Sequence, residues 1–231
     1  MIKVIKQGLP VELKTTGDGS HTLFVPGLNE HYHSVFGAIA ESRHIFIEAG
    51  LKFVSNESEK VRILEIGFGT GLNLFLTLIE SKALKFRVEY TAIELNLLNE
   101  EIYSRLNYAE ILNYPDSHNV FIKLHDCPWN IRNHLSKNFS LLKIDTSIET
   151  FQPENEAFDL IYYDAFGPDV QPGMWTKDVF NKMAFGLKKQ GVLVTYSTKG
   201  TVKRNLKEAG FSIEKLQGPV GKREILRAIK I

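Results

Sequence analysis

Cysteine is nearly absent from this chain of 231 residues, because Cys127 is the single one. No disulfide can form within the chain, and a reducing compartment is therefore expected. No segment approaches the roughly 18 apolar residues that a membrane span requires. Residues 1–15 alternate apolar and charged side chains and lack the continuous apolar stretch of a signal peptide. These absences predict a cytoplasmic protein without a membrane partner.

Patterns typical of several enzyme classes are also missing. The Cys and His residues do not have the spacing of a zinc site. The chain has neither the serine elbow of the α/β-hydrolases nor a phosphate-binding loop that ends in Gly-Lys-Ser/Thr. No metal site is predicted.

The net charge of +1 conceals an uneven distribution along the chain. Residues 199–231 contain nine Lys or Arg and three Asp or Glu, so this segment carries +6 and the remainder carries −5. A solvated helix face with lysines at a sheet edge would account for this excess, and so would a nucleic-acid contact. The sequence leaves both interpretations open.

Strand-like and helix-like segments alternate from residue 61 onward. Residues 61–66 and 88–93 have the pattern of buried strands, and residues 72–84 between them have a helical apolar face. This alternation predicts an α/β fold with a mostly parallel sheet that is covered on both faces. The last two strands are joined by a short Gly-Pro linker, so they should form an antiparallel hairpin. The other predicted elements are helices at 100–112, 176–187 and 201–209, and strands at 158–163, 192–196, 211–216 and 224–231.

The first 60 residues are predicted to be an extension that packs on a core of residues 61–231. A turn cluster separates β-like runs at 11–14 and 22–25, which indicates a hairpin, and residues 38–51 indicate a helix.

Two segments compete for the third core strand. Residues 120–124 and 139–144 both look extended, but only 139–144 lies close enough to the strand at 158–163 for a short crossover. We therefore assign 139–144 to the sheet and treat residues 113–135 as an insertion.

The segment Glu65-Ile66-Gly67-Phe68-Gly69-Thr70-Gly71 joins the first core strand to the first core helix. Glycines let the backbone approach a ligand, and the helix N-terminus behind them offers free N–H groups. Glu94 ends the second strand 23 residues after Gly71, and Asp164 ends the strand at 158–163. Parallel strands place such acids in one ligand-binding crevice.

A dinucleotide dehydrogenase would share this loop and the ribose-binding acid, but it begins the motif near its N-terminus and lacks the closing hairpin. The combination of E-x-G-x-G-x-G, Glu94 and the hairpin resembles the class I (Rossmann-like) S-adenosylmethionine methyltransferases instead. The resemblance implies that S-adenosylmethionine is the cofactor, with Glu94 on the ribose hydroxyls and Glu65 near the sulfonium and amino end. The predicted cofactor-binding residues in this part of the chain are Glu65, Gly67, Gly69, Gly71 and Glu94.

Four motifs narrow the resemblance. The segments 164–168 (D-A-F-G-P) and 171–176 (Q-P-G-M-W-T) resemble the D-A/G-F-A-P and P-x-M-W-T signature of the tRNA wobble-uridine methyltransferases. Residues 41–46 (E-S-R-H-I-F) and 221–226 (G-K-R-E-I-L) are similar to two further motifs, E-S/T-R-x-x-F and x-K-R-E-M-L. That family converts 5-aminomethyl-2-thiouridine to 5-methylaminomethyl-2-thiouridine. The resemblance therefore implies the same N-methylation at the wobble position of tRNA.

The chain departs from the family pattern in three places. Gly167 replaces the alanine of D-A-F-A-P, which removes no functional group. The adenine-contact region differs too, so that Asp145, Ser147 or Asp126 is expected to contact the base. Two-domain members continue into a flavin-dependent oxidase, and this chain ends at Ile231, so it resembles the free-standing form.

The resemblance also implies roles for individual residues. Asp164 either deprotonates the substrate amine or binds the amino group of the cofactor, and Phe166 walls the pocket. Trp175 either stacks on a base or anchors the core. The tRNA anticodon stem–loop is the expected partner, and a separate enzyme would supply the aminomethyl precursor. The predicted RNA contacts besides Trp175 are Lys199, Lys222 and Arg223.

Two other functions remain open. An aminopropyltransferase that acts on polyamines would share the fold and a β-rich extension, but such enzymes usually show a G-G-G-D-G loop that this chain lacks. A non-catalytic tRNA-binding protein on the same fold is the other alternative. The intact acids Glu65, Glu94 and Asp164 argue against it.

Overall fold

The structure, a computed structural model, describes residues 10–55, 59–84 and 86–231, so part of the segment 1–15 considered above lies outside the described residues. The strands of the described residues form two sheets. The smaller sheet contains β1 Glu12–Thr15, β2 His21–Val25 and β3 Glu30–His31. The larger contains β4 Lys60–Ile66, β5 Arg87–Glu94, β6 Arg132–Ser136, β7 Phe139–Asp145, β8 Phe158–Tyr163, β9 Leu187–Thr195, β10 Phe211–Gln217 and β11 Glu224–Lys230.

The helices lie between these strands. The first, α1, begins as Ala38–Ser42, continues through a π-helical stretch Arg43–Leu51 and ends with Lys52–Ser55. The others are α2 Leu72–Leu84, α3 Glu100–Tyr103, α4 Tyr108–Leu112, α5 Ser117–Asp126, a 3-10 turn Pro172–Trp175, α6 Lys177–Gly186 and α7 Gly200–Glu208. The helices of the described segments are all too short or too polar to span a bilayer.

The larger sheet has the strand order β10-β11-β9-β8-β4-β5-β7-β6. Its central strands are parallel, whereas β11 runs antiparallel to both β9 and β10. Along β4, Val61 and Ile63 pack into one hydrophobic cluster, and Leu64 and Ile66 pack into another on the opposite face. A strand that is apolar on both faces is what a sheet covered by two helical layers requires. The predicted Rossmann-like fold with a closing antiparallel hairpin is confirmed.

The assignment of residues 139–144 to the sheet is confirmed, because β7 pairs in parallel with β5 from Phe139 to Asp145. Residues 120–124 are helical instead and belong to α5, which buries Phe121, Leu124 and His125 at helical spacing. The segment 113–135 contains this helix and most of β6, which pairs antiparallel with β7 at the sheet edge. The division of the chain into an extension, a core and an insertion stays a prediction.

The predicted helix at 100–112 is divided into α3 and α4 by a turn at residues 104–107. Asn107 explains the break, because its side chain binds the backbone of the N-terminal hairpin. Its Oδ1 accepts from His21 N–H at 2.8 Å, and its Nδ2 donates to Gly19 O at 2.9 Å. These bonds fix the extension against the core.

The extension brings a loop, residues 30–37, over the carboxyl ends of the central strands. Asp18 secures the loop and the start of α1, because its Oδ2 accepts from Ala40 N–H at 2.9 Å. Further along α1, Gly50 packs against Val194 and Tyr162 of the sheet, where a Cβ would lie 3.0 Å from Val194 Cγ2. The extension thereby forms one wall of a cavity.

Candidate active site

A cavity of about 580 Å³ opens at the carboxyl ends of β4, β5 and β8. The chain passes from β4 to β5 on one side and reaches β8 on the other, so the cavity lies at the point where the strand order reverses, the usual ligand site of such sheets. Its walls come from the loop 30–36, the glycine loop after β4, the turns after β5, β7 and β8, and the β10–β11 loop.

The glycine loop forms the floor of the cavity. Gly67 has φ +90°, and a Cβ there would lie 2.8 Å from Asp164 O, so a side chain is excluded both by strain and by contact. Gly67 and Gly69 line the cavity. Gly71 does not; a Cβ at this position would instead lie 2.8 Å from His125 Nε2, which shows that this glycine lets α2 approach α5.

Glu94 lies at the end of β5 and lines the cavity. Its Oε1 accepts from Leu95 N–H at 2.9 Å and from Asn96 N–H at 2.7 Å, and its Oε2 accepts from Gly69 N–H at 3.0 Å. Burial raises the pKa of Glu94, and these backbone donors oppose that shift. The carboxylate is therefore held in one orientation across the cleft between the glycine loop and β5.

Asp164 lies across the cavity from Glu94, directly after β8, and its Oδ2 accepts from Asn73 Nδ2 at 2.8 Å. Burial raises the pKa of Asp164 to about 7, while the Asn73 hydrogen bond and the Lys222 charge oppose the shift and the Glu41 charge adds to it. A carboxyl group with this pKa gains and loses a proton near neutral pH, as a general base must.

Glu65 is fully buried beneath the cavity floor and does not line the cavity. Burial raises the pKa of Glu65 well above its usual value, and the negative charge of Asp164 raises it further. Neither carboxyl oxygen has a hydrogen bond of standard geometry among the described residues, although Asn73 and Tyr90 face them. Burial of Glu65 therefore favours the protonated form of its carboxyl group.

The three residues considered for the adenine contact are separated by the structure. Ser147 lines the cavity. Asp145 and Asp126 do not; Asp145 N–H donates to Asn130 Oδ1 at 3.1 Å, and Asp126 Oδ1 accepts from Tyr103 OH at 2.6 Å. Of the three residues, Ser147 is thus the one whose position suits a contact with the adenine base.

Phe166 lines the cavity and meets Tyr32 edge to face, with 5.0 Å between the ring centroids. Trp175 is only 3% exposed and lies behind this wall, where its Nε1 donates to Phe166 O at 2.8 Å. Its ring packs against Tyr163 and Tyr196. Because no ring face is open to a base, this position corresponds to the core-anchor alternative for Trp175.

The predicted basic residues are not equivalent. Lys222 lies in the cavity wall, 3.0 Å from Glu41 Oε1 and 4.9 Å from the centroid of the Tyr196 ring. Arg223 is exposed and does not line the cavity. Lys199 is also outside the cavity and forms an ion pair with Asp169.

Asn73 and Glu41 both line the cavity, and the sequence predicts no role for either of them. Asn73 lies two residues after the last glycine of the loop, and that position was the available signal. Glu41 belongs to the E-S-R motif, but its pairing with Lys222 depends on distant segments. His33 Nε2 hydrogen-bonds with Thr70 Oγ1 at 2.6 Å, and burial lowers the pKa of His33 to about 4, which keeps the ring neutral.

Comparison with known proteins gives a consistent result. A family model described as S-adenosyl-L-methionine-dependent methyltransferase matches residues 129–231. The chain is 29% identical over 228 residues to the tRNA 5-methylaminomethyl-2-thiouridine biosynthesis bifunctional protein of Burkholderia multivorans, covering 94% of this chain and 34% of that protein. The corresponding protein of Pseudoalteromonas atlantica is 28% identical, with 94% of this chain and 33% of that protein covered. The chain thus spans about a third of the length of these curated relatives.

Solved structures show the same relationship. MnmC2 from Aquifex aeolicus superposes with a TM-score of 0.77 at 27% identity, over 97% of this chain and 71% of that one. A probable spermidine synthase from Corynebacterium glutamicum has a TM-score of 0.51 at 17% identity, over 95% of this chain and 76% of that one. The second likeness shows a shared fold alone.

Proposed function

We propose that this chain is an S-adenosylmethionine-dependent methyltransferase that methylates the amino group of 5-aminomethyl-2-thiouridine at the wobble position of tRNA. The observation that carries the proposal is the Asp164 carboxyl group on the cavity wall, with a pKa of about 7. The names of the relatives supply the substrate class.

S-adenosylmethionine is the cofactor, and the cavity has the features that it requires. The volume of about 580 Å³ lies within the range of small-molecule sites. Gly67 and Gly69 add no side chain to the cavity floor, and the fixed carboxylate of Glu94 suits a ribose diol. We assign Ser147 to the adenine side of the cavity.

The bound cofactor supplies an electrophilic methyl group, so the residues of the chain must present a neutral amine to it. An alkylamine with a pKa near that of lysine, about 10.4, is neutral only about once in a thousand molecules at neutral pH. Asp164 Oδ2 is occupied by Asn73, which leaves Oδ1 to accept the amine proton. Phe166 and Tyr32 close the cavity beside this carboxyl group and limit access of water. The alternative role for Asp164 is to bind the amino group of the cofactor.

The same proposal covers the partners. The tRNA anticodon stem–loop would reach the cavity past Arg223, and Lys222 would meet the nucleoside inside it. A separate enzyme would supply the aminomethyl precursor in the cytoplasm.

The test combines calorimetry with nucleoside analysis. The protein should bind S-adenosylmethionine and S-adenosylhomocysteine, and it should form 5-methylaminomethyl-2-thiouridine in tRNA that carries the aminomethyl group. A tRNA without that group lacks the alkylamine that would accept the methyl group and is the matched control. Cofactor binding without methylation of the aminomethyl tRNA would refute the substrate assignment and leave the enzyme class intact.

A further inference from the structure

Three exposed apolar side chains lie at the mouth of the cavity. Val35, Phe36 and Val220 are 50%, 55% and 77% exposed. Val35 and Phe36 line the cavity, and the Phe36 ring packs on Gly221, where a Cβ would lie 2.1 Å from the ring. The loop after β3 and the loop before β11 therefore meet in one surface, and we call Val35, Phe36 and Val220 the apolar rim.

Backbone contacts hold the apolar rim in place. Gly17 N–H donates to Val35 O at 2.8 Å, and Ser34 N–H donates to Glu41 Oε2 at 2.8 Å. A Cβ at Gly17 would lie 2.7 Å from Phe36 O, so the turn between β1 and β2 is in close contact with the backbone of the loop after β3. Phe36 is consequently presented to solvent in one orientation, which lowers the entropic cost of binding a flat partner.

Basic side chains lie beside the apolar rim. Arg223 lies three residues after Val220 in the sequence and is exposed. Arg43 is exposed on α1, next to His44. The Nε2 of His44 hydrogen-bonds with Gln217 O at 2.7 Å, at the end of β10, the strand that leads into the loop of Val220. Across the described part of the chain, neither arginine has an ion-pair partner. An aromatic ring beside unpaired cations is the combination that binds unpaired nucleotides, with bases on the ring and phosphates on the cations.

We propose that the apolar rim stacks against one unpaired base of the RNA, next to the nucleoside that enters the cavity. The inference rests on the proposed function, because the cavity must receive its nucleoside from an RNA loop. A nucleoside that enters a cavity leaves a loop neighbour without its stacking partner. The Phe36 ring replaces that partner at the cavity mouth.

The first experiment measures the affinity of a fluorescently labelled anticodon stem–loop for the protein and three variants. Phe36→Leu keeps an apolar side chain against Gly221 but removes the ring, so RNA affinity should fall about ten-fold, within the range for loss of one base stack. Phe36→Trp keeps a ring and should bind at least as tightly as the wild type. Phe185→Leu is the control, because Phe185 is 53% exposed and lies outside the cavity lining. Its RNA affinity, and its S-adenosylmethionine affinity measured by calorimetry, should both match those of the wild type.

The second experiment identifies the stacked base. Stem–loops with an abasic site at each loop position in turn are bound to the wild type and to Phe36→Leu. At one position, beside the wobble nucleoside, the two losses should not add, because both changes remove the same contact. Equal RNA affinity of Phe36→Leu and the wild type would overturn the inference and return the rim to plain surface or to a protein contact. A loss that is additive at every loop position would overturn it as well.

These outcomes are separate from a failure of the proposed function. If the wild type binds the stem–loop and shows the non-additive position but does not methylate the aminomethyl group, the stacking inference stands and the reaction assignment fails. If the wild type does not bind the stem–loop, both are overturned.

Discussion

Asp164 decides between two mechanisms at the scale of single residues. If Asp164 accepts the amine proton, Asp164→Asn should lower the single-turnover methylation rate by about two to four orders of magnitude and leave cofactor affinity nearly unchanged. If it binds the amino group of the cofactor, affinity should fall together with the rate. Single-turnover kinetics and calorimetry on the same variant separate the two roles. A variant with normal rate and normal affinity would refute both.

The ribose contact of Glu94 is a second residue-scale prediction. Glu94→Ala removes a carboxylate that three backbone N–H groups orient, so S-adenosylmethionine binding should weaken by about 1.5–3 kcal/mol. The control is Glu101→Ala, an exposed acid on α3 outside the cavity lining. Calorimetry measures both, and unchanged affinity in Glu94→Ala would exclude the ribose assignment.

Glu65 gives a prediction about stability and pH. Its pKa is raised in the folded protein by burial, so the unfolded chain ionises first as the pH rises above about 4.3. The folded state then loses stability relative to the unfolded state with increasing pH. Glu65→Gln cannot ionise, so its Tm relative to the wild type should increase from pH 5 to pH 8. Calorimetric melting across this range measures the Tm of the variant and of the wild type, with the exposed Glu101→Gln as the control. A Tm difference that stays constant with pH would contradict a raised pKa of Glu65 in the folded protein.

At the scale of elements, the β4–α2 loop depends on glycine for its shape. Gly67→Ala places a side chain at φ +90° and 2.8 Å from Asp164 O, which should cost about 1–3 kcal/mol of unfolding free energy and move Asp164. Cofactor affinity should fall with it. Gly173→Ala is the matched control, since Gly173 also lines the cavity but a Cβ there meets nothing within 4 Å. Denaturant unfolding and calorimetry should distinguish the two alanines; equal behaviour would show that the loop tolerates a side chain.

The tail of net charge +6 gives a prediction at the scale of the whole molecule. If residues 199–231 contact the phosphate backbone, tRNA affinity should fall steeply as the salt concentration rises. Arg223→Ala should reduce the magnitude of the slope of log affinity against log salt by about 1, the change expected for one lost phosphate contact. Lys189→Ala removes an exposed charge on β9, outside the cavity lining, and should leave the slope unchanged. Identical slopes for wild type and Arg223→Ala would assign Arg223 to the solvated surface.

Lys222 differs from the exposed Arg223, because Lys222 is already paired with Glu41 inside the cavity wall. The double variant Lys222→Ala/Arg223→Ala should therefore change the salt slope little more than Arg223→Ala alone. It should change methylation more than Arg223→Ala does, since Lys222 lowers the pKa of Asp164.

The sequence alone determined the order of strands and helices in the core, the glycine loop and the acids at the strand ends. These features follow from local periodicity and from residues within one turn, which is why β7 was placed correctly and α2 matched to its ends. The local pattern of residues 120–124 looked extended, and this interpretation was wrong. These residues are helical, and their apolar side chains pack against the core at helical spacing.

The differences among the three acids arise from the tertiary structure. Glu65, Glu94 and Asp164 look alike in the sequence, yet burial beneath the floor, three backbone donors and one Asn73 hydrogen bond give them separate properties. The pairing of Glu41 with Lys222 and the burial of Trp175 likewise join segments that are far apart in the chain. Burial and electrostatic environment depend on such distant neighbours, and no local pattern encodes them.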